Sequence, residues 1–593
     1  MKIHYLNGTR LYYAFLAGGN AVIDDQVYLN KINVFPIPDA DTGTNLATTM
    51  RAIADGSEAH RSIRTTLKSI ANAALSGARG NSGLIFAQFI QGLSQEIHQE
   101  TKLTTRAFGE SVRRAVHHAH KAIVSPVEGT MITVIRDWAE AVYSRRTQTS
   151  DFVELLAGAM PVAQESLRET PRKLPVLAKA GVVDAGAKGF VDFLEGILQF
   201  IRKGKLGRMT KSEASWVPEE IRVPSKEKSL TYRYCCEALL GGRSMDADSI
   251  RSEVGEFGGS VVVAGTDEKV RIHVHTNNPA ELFFKLKDRG TVTQIKVDDN
   301  RRLYEAAHER KAEIAIVTDS SCDLPPEILE ERQVYVIPFP LSFGEQQFLD
   351  KVTIAPSQFY DLLRTDPAQP KTGQPSWQSI HHFLSFLAGC YKSVIFLTLS
   401  SKLSGFHSLC LKAAEKLSSG KITVIDSRTI SVGLALLVDM ASEMALAGAS
   451  HEKIVEAVGA AIPRAKILVD VSTMKYFVRS GRVKPLKGLV GRLLKLKPIL
   501  ELDPDGSAVG VGKSFLRKTN IAKILGMIEA EAETRKVRAY AIVHAQNPER
   551  AELYRQKMRA LLGSEPAYIL GVAPVIGAHA GIGAVAAAVL FDQ

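Results

Sequence analysis

Apolar residues change their spacing near residue 203, and that change limits what the chain can fold into. Upstream, apolar positions recur at helical intervals in Ile63 to Leu75, Phe108 to Ile123, Phe152 to Leu167 and Phe190 to Ile201. Runs with this period bury one face of a helix, so residues 1–203 read as an all-α domain. Residues 204–229 are polar and charged, hold Pro218 and Pro224, and read as a linker. From residue 230 the runs shorten to Ser260-Val-Val-Val-Ala264 and Val270-Arg-Ile-His-Val274 around Thr266-Asp-Glu, which predicts a small α/β domain over 230–299. A charged, helix-compatible connector, 300–312, leads into 313–593. There Ile314 to Thr318, Val334 to Pro338, Val394 to Leu399 and Ile422 to Ile425 predict buried parallel strands, and Val432 to Ala447 a crossover helix. At 593 residues the chain is too long for one core, so several domains are required.

Within the helical part, Asn33-Val-Phe-Pro-Ile-Pro-Asp-Ala-Asp-Thr-Gly-Thr-Asn45 breaks the pattern. Pro36 and Pro38 fix φ and hold Asp39 and Asp41 on a stiff loop. Thr42, Gly43, Thr44 and Asn45 then offer hydroxyls and helix-start N–H groups that suit a phosphate. Magnesium takes hard oxygen ligands and usually one or two carboxylates, so the loop predicts a Mg²⁺ and phosphate site. The bland alternative is a turn with an Asx cap. Ser76-Gly-Ala-Arg-Gly-Asn-Ser-Gly83 is a second glycine-rich loop entering a helix, which cradles phosphates or simply turns a helix corner.

The small domain holds Tyr234-Cys-Cys-Glu237 and Ile272-His-Val-His-Thr-Asn-Asn-Pro279. Residues at i and i+2 of a strand share a face, so His273 and His275 can grip one ion with a cysteine from elsewhere. Three protein ligands with a fourth position open is the pattern of a catalytic zinc site; two ordinary strand histidines are the alternative. His117, His118 and His120 read as a helix surface without metal.

The net charge of +11 is compatible with nucleic acid, an anionic membrane or acidic ligands. No helix-turn-helix, zinc-finger or aromatic-plus-basic signature supports nucleic acid. Arg479, Arg482, Lys484, Lys487, Arg492, Lys495 and Lys497, interleaved with leucines, form a basic amphipathic segment. It reads either as a solvated helix or as a contact with an anionic membrane surface. Five cysteines without framework spacing fit a reducing compartment. No signal peptide is visible, and the run Ile576 to Phe591 is too weakly apolar to span a bilayer. The expected location is the cytoplasm, with peripheral contact at the membrane.

With two further segments, Pro126-Val-Glu-Gly-Thr-Met131 and Ala180-Gly-Val-Val-Asp-Ala-Gly-Ala187, the loops of the helical part resemble the nucleotide-binding domain shared by dihydroxyacetone kinases and bacterial fatty acid kinases. The resemblance implies ATP and Mg²⁺, with Asp39 and Asp41 on the metal and Asn33 contributing beside them. It places Thr44, Asn45, Asn81, Ser82 and Gly83 at nucleotide phosphates, and Thr130, Asp184 and Gly186 along the nucleotide pocket. Ala40 departs from the glycine usual between the two aspartates. The middle segment resembles that of the fatty acid kinase catalytic subunit, which implies Zn²⁺ on Cys235, His273 and His275; the adjacent Cys236 leaves the choice of thiol open.

The last part carries Val317-Thr-Asp-Ser-Ser-Cys-Asp-Leu324, Lys371-Thr-Gly-Gln-Pro-Ser376, Leu399-Ser-Ser-Lys-Leu-Ser-Gly405, Tyr476-Phe-Val-Arg-Ser-Gly-Arg482 and Ile576-Gly-Ala-His-Ala-Gly-Ile-Gly583. These motifs resemble the DegV family, which implies two α/β subdomains with a fatty acid in an apolar tunnel. The carboxylate would meet Thr372, Ser404, Arg482 and His579, while Gly373 replaces a frequent serine. The implied whole is a fused fatty acid kinase and carrier that makes acyl phosphate, with Asp39, Asp41 and Arg482 in catalytic roles. An acyl-phosphate-consuming acyltransferase would follow, and a homodimer is left open. The rival readings are a lipid-binding regulator without catalysis and a kinase for a small polyol such as dihydroxyacetone.

Overall fold

The computed structural model describes residues 2–35, 41–203, 231–417, 421–480, 497–514 and 517–592. Asp39, Ala40, the 204–229 linker, Arg482 and most of the basic stretch after Arg479 lie outside the described residues. The chain divides into two compact units, Met1–Tyr304 and Glu305–Gln593. The 300–312 connector is helical over Asn300–His308, so at about 1.5 Å per residue its reach is well short of an extended chain's.

The first unit begins with a helical bundle. Its helices start where polar caps stand: Asn7 accepts from Arg10 N at 2.8 Å, Ser62 from Thr65 N at 3.2 Å and Thr104 from Ala107 N at 3.3 Å. The first and last long helices, Gly8–Asp24 and Ala185–Lys203, approach closely at glycine. A Cβ on Gly196 would fall 2.6 Å from the Ala17 carbonyl oxygen, so the contact excludes any side chain there.

An antiparallel sheet follows, built from β1 (Tyr234–Gly241), β2 (Gly258–Gly265), β3 (Lys269–Thr276) and β4 (Thr291–Asp299) in the order β2-β3-β1-β4. One face packs Cys236, Ala238, Ile272 and Val274 into a core of their own. β2 is also tied to the helical bundle: Val263 N donates to Ala122 O at 2.9 Å and Val124 N to Val261 O at 3.2 Å. Val262 and Ala264 join the core of the helices.

The second unit has two main sheets. β5 (Ile314–Asp319), β6 (Tyr335–Ile337), β10 (Ser393–Thr398) and β11 (Lys421–Asp426) pair in parallel, in the order β11-β10-β5-β6. β7 (Pro340–Phe343), β8 (Gln346–Leu349) and β9 (Pro370–Thr372) form a small antiparallel sheet. The second main sheet joins β12 (Ala465–Asp470), β13 (Lys497–Leu502), β14 (Ala508–Ser514), β15 (Val537–His544), β16 (Ile569–Gly571) and β17 (Val585–Phe591). Its order is β14-β13-β12-β17-β15-β16, antiparallel except for the last pair. Among the described residues no helix is long and apolar enough to cross a membrane. Ile576 to Phe591 instead splits between the Pro574–Ala580 helix and β17.

Candidate functional sites

In the first unit, strand alternation and pairing gather one polar face. Cys235 stands opposite His275 and Glu237 opposite His273 across the β1–β3 pair, while Glu237 faces Lys296 and Cys235 faces Asp298 across β1–β4. Opposite residues share a face, so six ionisable groups converge. Cys235, His273 and His275 bring their donor atoms within 4.8 Å of one another. Cys236 points to the other face, into the apolar core. The pairing therefore supplies the cysteine that the adjacent-thiol motif left open.

The donor set suits zinc. Burial, followed by interaction with His273, holds His275 down to about 3, so its ring is neutral with a lone pair to give. His273 Nε2 is buried without a hydrogen-bond partner. Burial, then the carboxylates of Asp298 and Glu237, push the Cys235 thiol up; a bound cation would draw off its proton.

Facing this sheet are the glycine-rich loops. Asp41 is the residue before the Thr42–Gly56 helix and makes no capping hydrogen bond with its side chain. Its charge reaches the sheet. The Lys296 side chain is 43% exposed, and Asp298, Glu237 and Asp41 together hold it above the usual lysine value. The Lys296 ammonium also pairs with Asp298 at 2.7 Å. Asn33 Oδ1 accepts from Thr42 Oγ1 at 2.5 Å and so braces the loop's exit.

The residues expected at phosphates divide in two. Gly80 opens the Gly80–Glu96 helix at φ +59°, and a Cβ there would lie 2.4 Å from Asn45 Nδ2, which brings the two loops together. The Asn81 and Ser82 N–H groups belong to the first turn, where helices leave donors without partners of their own, and Asn81 Oδ1 is buried without a partner. Gly83 differs: its N–H donates to Arg79 O at 3.1 Å and is not available to a phosphate. Thr44 is likewise engaged, its N–H donating to Asn30 Oδ1 at 3.0 Å and its hydroxyl accepting from Asn30 Nδ2 at 3.0 Å.

Of Thr130, Asp184 and Gly186, Gly186 packs against Ser82. A Cβ on Gly186 would lie 2.6 Å from Ser82 Oγ and 3.4 Å from both Asp184 Oδ1 and Met131 Cβ. Asp184 accepts from Ala187 N at 2.8 Å, and burial raises its carboxyl to about 6 against the help of the Ala187 and Met131 N–H groups. Thr130 Oγ1 donates to Val127 O at 2.8 Å. His117 and His120 are exposed, and His118 lies 3.2 Å from Glu96.

The second unit holds a cavity of about 210 Å³. Ile467, Val469, Leu500, Val543 and Val585 give it apolar walls, and Thr372, Ser404 and His579 lie on its lining. Thr372 Oγ1 and His579 Nε2 are hydrogen-bonded at 3.1 Å, and Ser404 Oγ lies 3.1 Å from the Gln374 side-chain amide. Two buried carboxylates set the His579 segment: Asp323 accepts from Ala573 N at 3.0 Å and Asp350 from Val575 N at 3.2 Å. Lys351 and Ser431 hold Asp323 in turn, at 3.0 and 2.6 Å.

Sequence reasoning passes over Arg79, Glu237 and Lys296 in the first unit and Ser321, Gln374 and His544 in the second-unit lining. Arg79 and Glu237 stand inside motifs whose glycines and thiols dominate the reading. The cue for Lys296 is β4 alternation, which is weak without knowledge of its neighbour.

Comparison with known proteins finds three matched segments. Residues 36–199 match the DAK2 domain, 231–306 the FakA-like middle domain of fatty acid kinase, and 313–592 the DegV family of uncharacterised proteins. The chain is a DAK2–middle–DegV fusion. An uncharacterized protein of Staphylococcus epidermidis is 32% identical over 349 residues, 54% of this chain and 62% of its own length. One of Staphylococcus aureus is 31% identical over 309 residues, 50% of this chain and 56% of its own. The fusion thus aligns with a little over half the length of these curated relatives. Among solved structures, a fatty acid binding DegV family protein from Streptococcus agalactiae is 25% identical with a TM-score of 0.45, covering 48% of this chain and 100% of that one. DegV of Bacillus subtilis, a fatty acid binding protein, is 26% identical with a TM-score of 0.44, covering 47% and 100%.

Proposed function

We propose that this fusion transfers the γ-phosphoryl group of ATP to the carboxylate of a fatty acid, giving acyl phosphate and ADP. The observation that carries the reading is one chain holding both a DAK2 unit, with paired phosphate loops beside a carboxylate, and a DegV unit, whose apolar cavity is lined at one place by a hydroxyl–imidazole pair. A carboxylate buried in apolar surroundings needs such donors. A fatty acid carboxyl, with a pKa near 4.3 as for Glu, is already ionised at neutral pH and needs no base. One carboxylate oxygen bonds to the γ-phosphorus, the bond from that phosphorus to the bridging oxygen breaks, and ADP leaves with the electron pair.

Catalysis then rests on placement and on neutralising phosphate charge. Asp41, with Asp39 beside it in sequence, would hold Mg²⁺, and Cys235, His273 and His275 would hold Zn²⁺; both ions supply charge neutralisation when bound. Asn81 and Ser82 offer first-turn N–H groups to phosphate oxygens, and Lys296 adds a fixed positive charge. Thr372, Ser404 and His579 would orient the carboxylate, with Arg482 assigned to it on resemblance.

The test is gentle purification followed by mass spectrometry of bound lipid, then ATP-dependent acyl hydroxamate formation with hydroxylamine. Bound fatty acid with hydroxamate supports the reaction. Bound fatty acid without hydroxamate leaves a lipid-binding regulator. Phosphorylation of dihydroxyacetone in its place makes the chain a polyol kinase.

A further inference from the structure

Glu237 has no part in the ligand set, yet it is 3% exposed and meets polar groups on every side. Its Oε1 accepts the Gly80 N–H at 2.5 Å and lies 3.5 Å from His273 Nδ1. Its Oε2 lies 3.4 Å from Arg79 Nη1 and 3.6 Å from Arg271 Nη2. Lys296 faces it from β4. The carboxylate therefore fastens the sheet that carries the cysteine–histidine cluster to the glycine-rich loop that opens the Gly80–Glu96 helix.

A buried carboxylate is costly unless paired and hydrogen-bonded, and neutralising the wholly buried Arg271 would justify this one on its own. That role does not explain the reach to a loop 157 residues earlier in the chain. Arg79 stands directly before the helix whose next residues, Asn81 and Ser82, lie at the phosphate end, and its side chain remains 28% exposed. A guanidinium is a planar fork of five donors, always charged, so contact with one carboxylate oxygen leaves donors for an incoming phosphate. Left to itself, such a long side chain would sample many rotamers and lose entropy on binding. Held by Glu237, it is placed in advance.

We infer that Glu237 is a positioning residue of the nucleotide site: it holds Arg79 and the first turn of the Gly80–Glu96 helix in place to receive the phosphates of Mg·ATP. The inference rests on the kinase reading of this unit.

The experiment is a double-mutant cycle in the full chain with Arg79→Gln, Glu237→Gln and the pair. It is read as the Mg·ATP dissociation constant by calorimetry, as kcat and KM for ATP in the hydroxamate assay, and as melting temperature. Each single change is expected to weaken Mg·ATP binding about tenfold, as loss of one hydrogen bond to a charged group would, and the pair by clearly less than the product of the two, because Glu237 acts in part through Arg79. A roughly hundredfold loss in the pair means independent effects and overturns the inference. So does a Glu237→Gln protein with wild-type affinity.

If Glu237→Gln does not fold, Glu237→Asp carries the comparison, since it keeps the charge and withdraws it by one methylene. Weakened Mg·ATP binding with a wild-type melting temperature is expected, and unchanged affinity refutes the role. Calorimetry needs no acceptor, so the two proposals fail separately. A coupled cycle in a chain that forms no acyl phosphate refutes the reaction and leaves Glu237 in its role, whereas a wild-type chain that does not bind Mg·ATP refutes both.

Discussion

Replacing Asp184 by Asn should make the first unit more stable at pH 8 while weakening nucleotide binding. The carboxyl is 6% exposed, and burial moves it from 3.8 to about 6. A shift of that size corresponds to about 3 kcal/mol. The sign follows from which form is disfavoured. The folded pKa lies above the unfolded one, so the penalty is absent below about pH 3.8, grows as the pH rises, and is complete above about pH 6. Asparagine keeps an oxygen for the Ala187 N–H and removes the charge, at the cost of a buried amide N–H₂ in need of partners, about 1 kcal/mol. A net gain of about 2 kcal/mol at pH 8 remains, and it should disappear near pH 4. Hydrogen exchange read by mass spectrometry on the Met131–Arg145 and Ala185–Lys203 helices measures this locally, which avoids treating a multidomain chain as two-state. Equal or faster exchange in the variant at pH 8 would refute the reasoning. A gain in protection together with unchanged Mg·ATP affinity would reduce Asp184 to a helix cap.

The other sites divide by assay. Elemental analysis should find about one zinc per chain, lost in Cys235→Ser and His273→Ala but kept in Cys236→Ser, because only Cys235 shares the histidine face. Asp41→Ala should lose at least about a hundredfold in phosphoryl transfer while bound fatty acid, measured by mass spectrometry, is unchanged. Thr372→Val, which removes the hydroxyl bonded to His579, should weaken fatty acid retention about five- to tenfold with Mg·ATP affinity intact; unaltered lipid content would remove Thr372 from the carboxylate's surroundings.

Helices and strands with strong periodicity were legible before any coordinates. Phe152 to Leu167 became the Phe152–Arg168 helix, and Val394 to Leu399 became β10, paired in parallel on both sides. The second main sheet was not legible strand by strand. β17 contains Ala586, Ala587 and Ala588, residues of low strand propensity that succeed because the strand is central and wholly buried. At the candidate sites, residue types were readable and partners were not. Thr44 and Gly83 fit a phosphate loop in sequence, yet their donors are taken up by Asn30 and by the Arg79 carbonyl. Choosing between Cys235 and Cys236 required the register of a strand some 40 residues away, where a slip of one residue would exchange the two thiols between faces.

The strand that joins the sheet to the bundle has a consequence for how such proteins can be assembled from parts. β2 completes backbone hydrogen bonds of residues 122–124 and inserts Val262 and Ala264 into the helical core. A DAK2 segment ending at the last bundle helix would leave those carbonyl and N–H groups without partners and open an apolar seam to water. The border between the first two families is therefore a border in sequence but not in folding. Recombination that respects physical integrity must inherit both segments together.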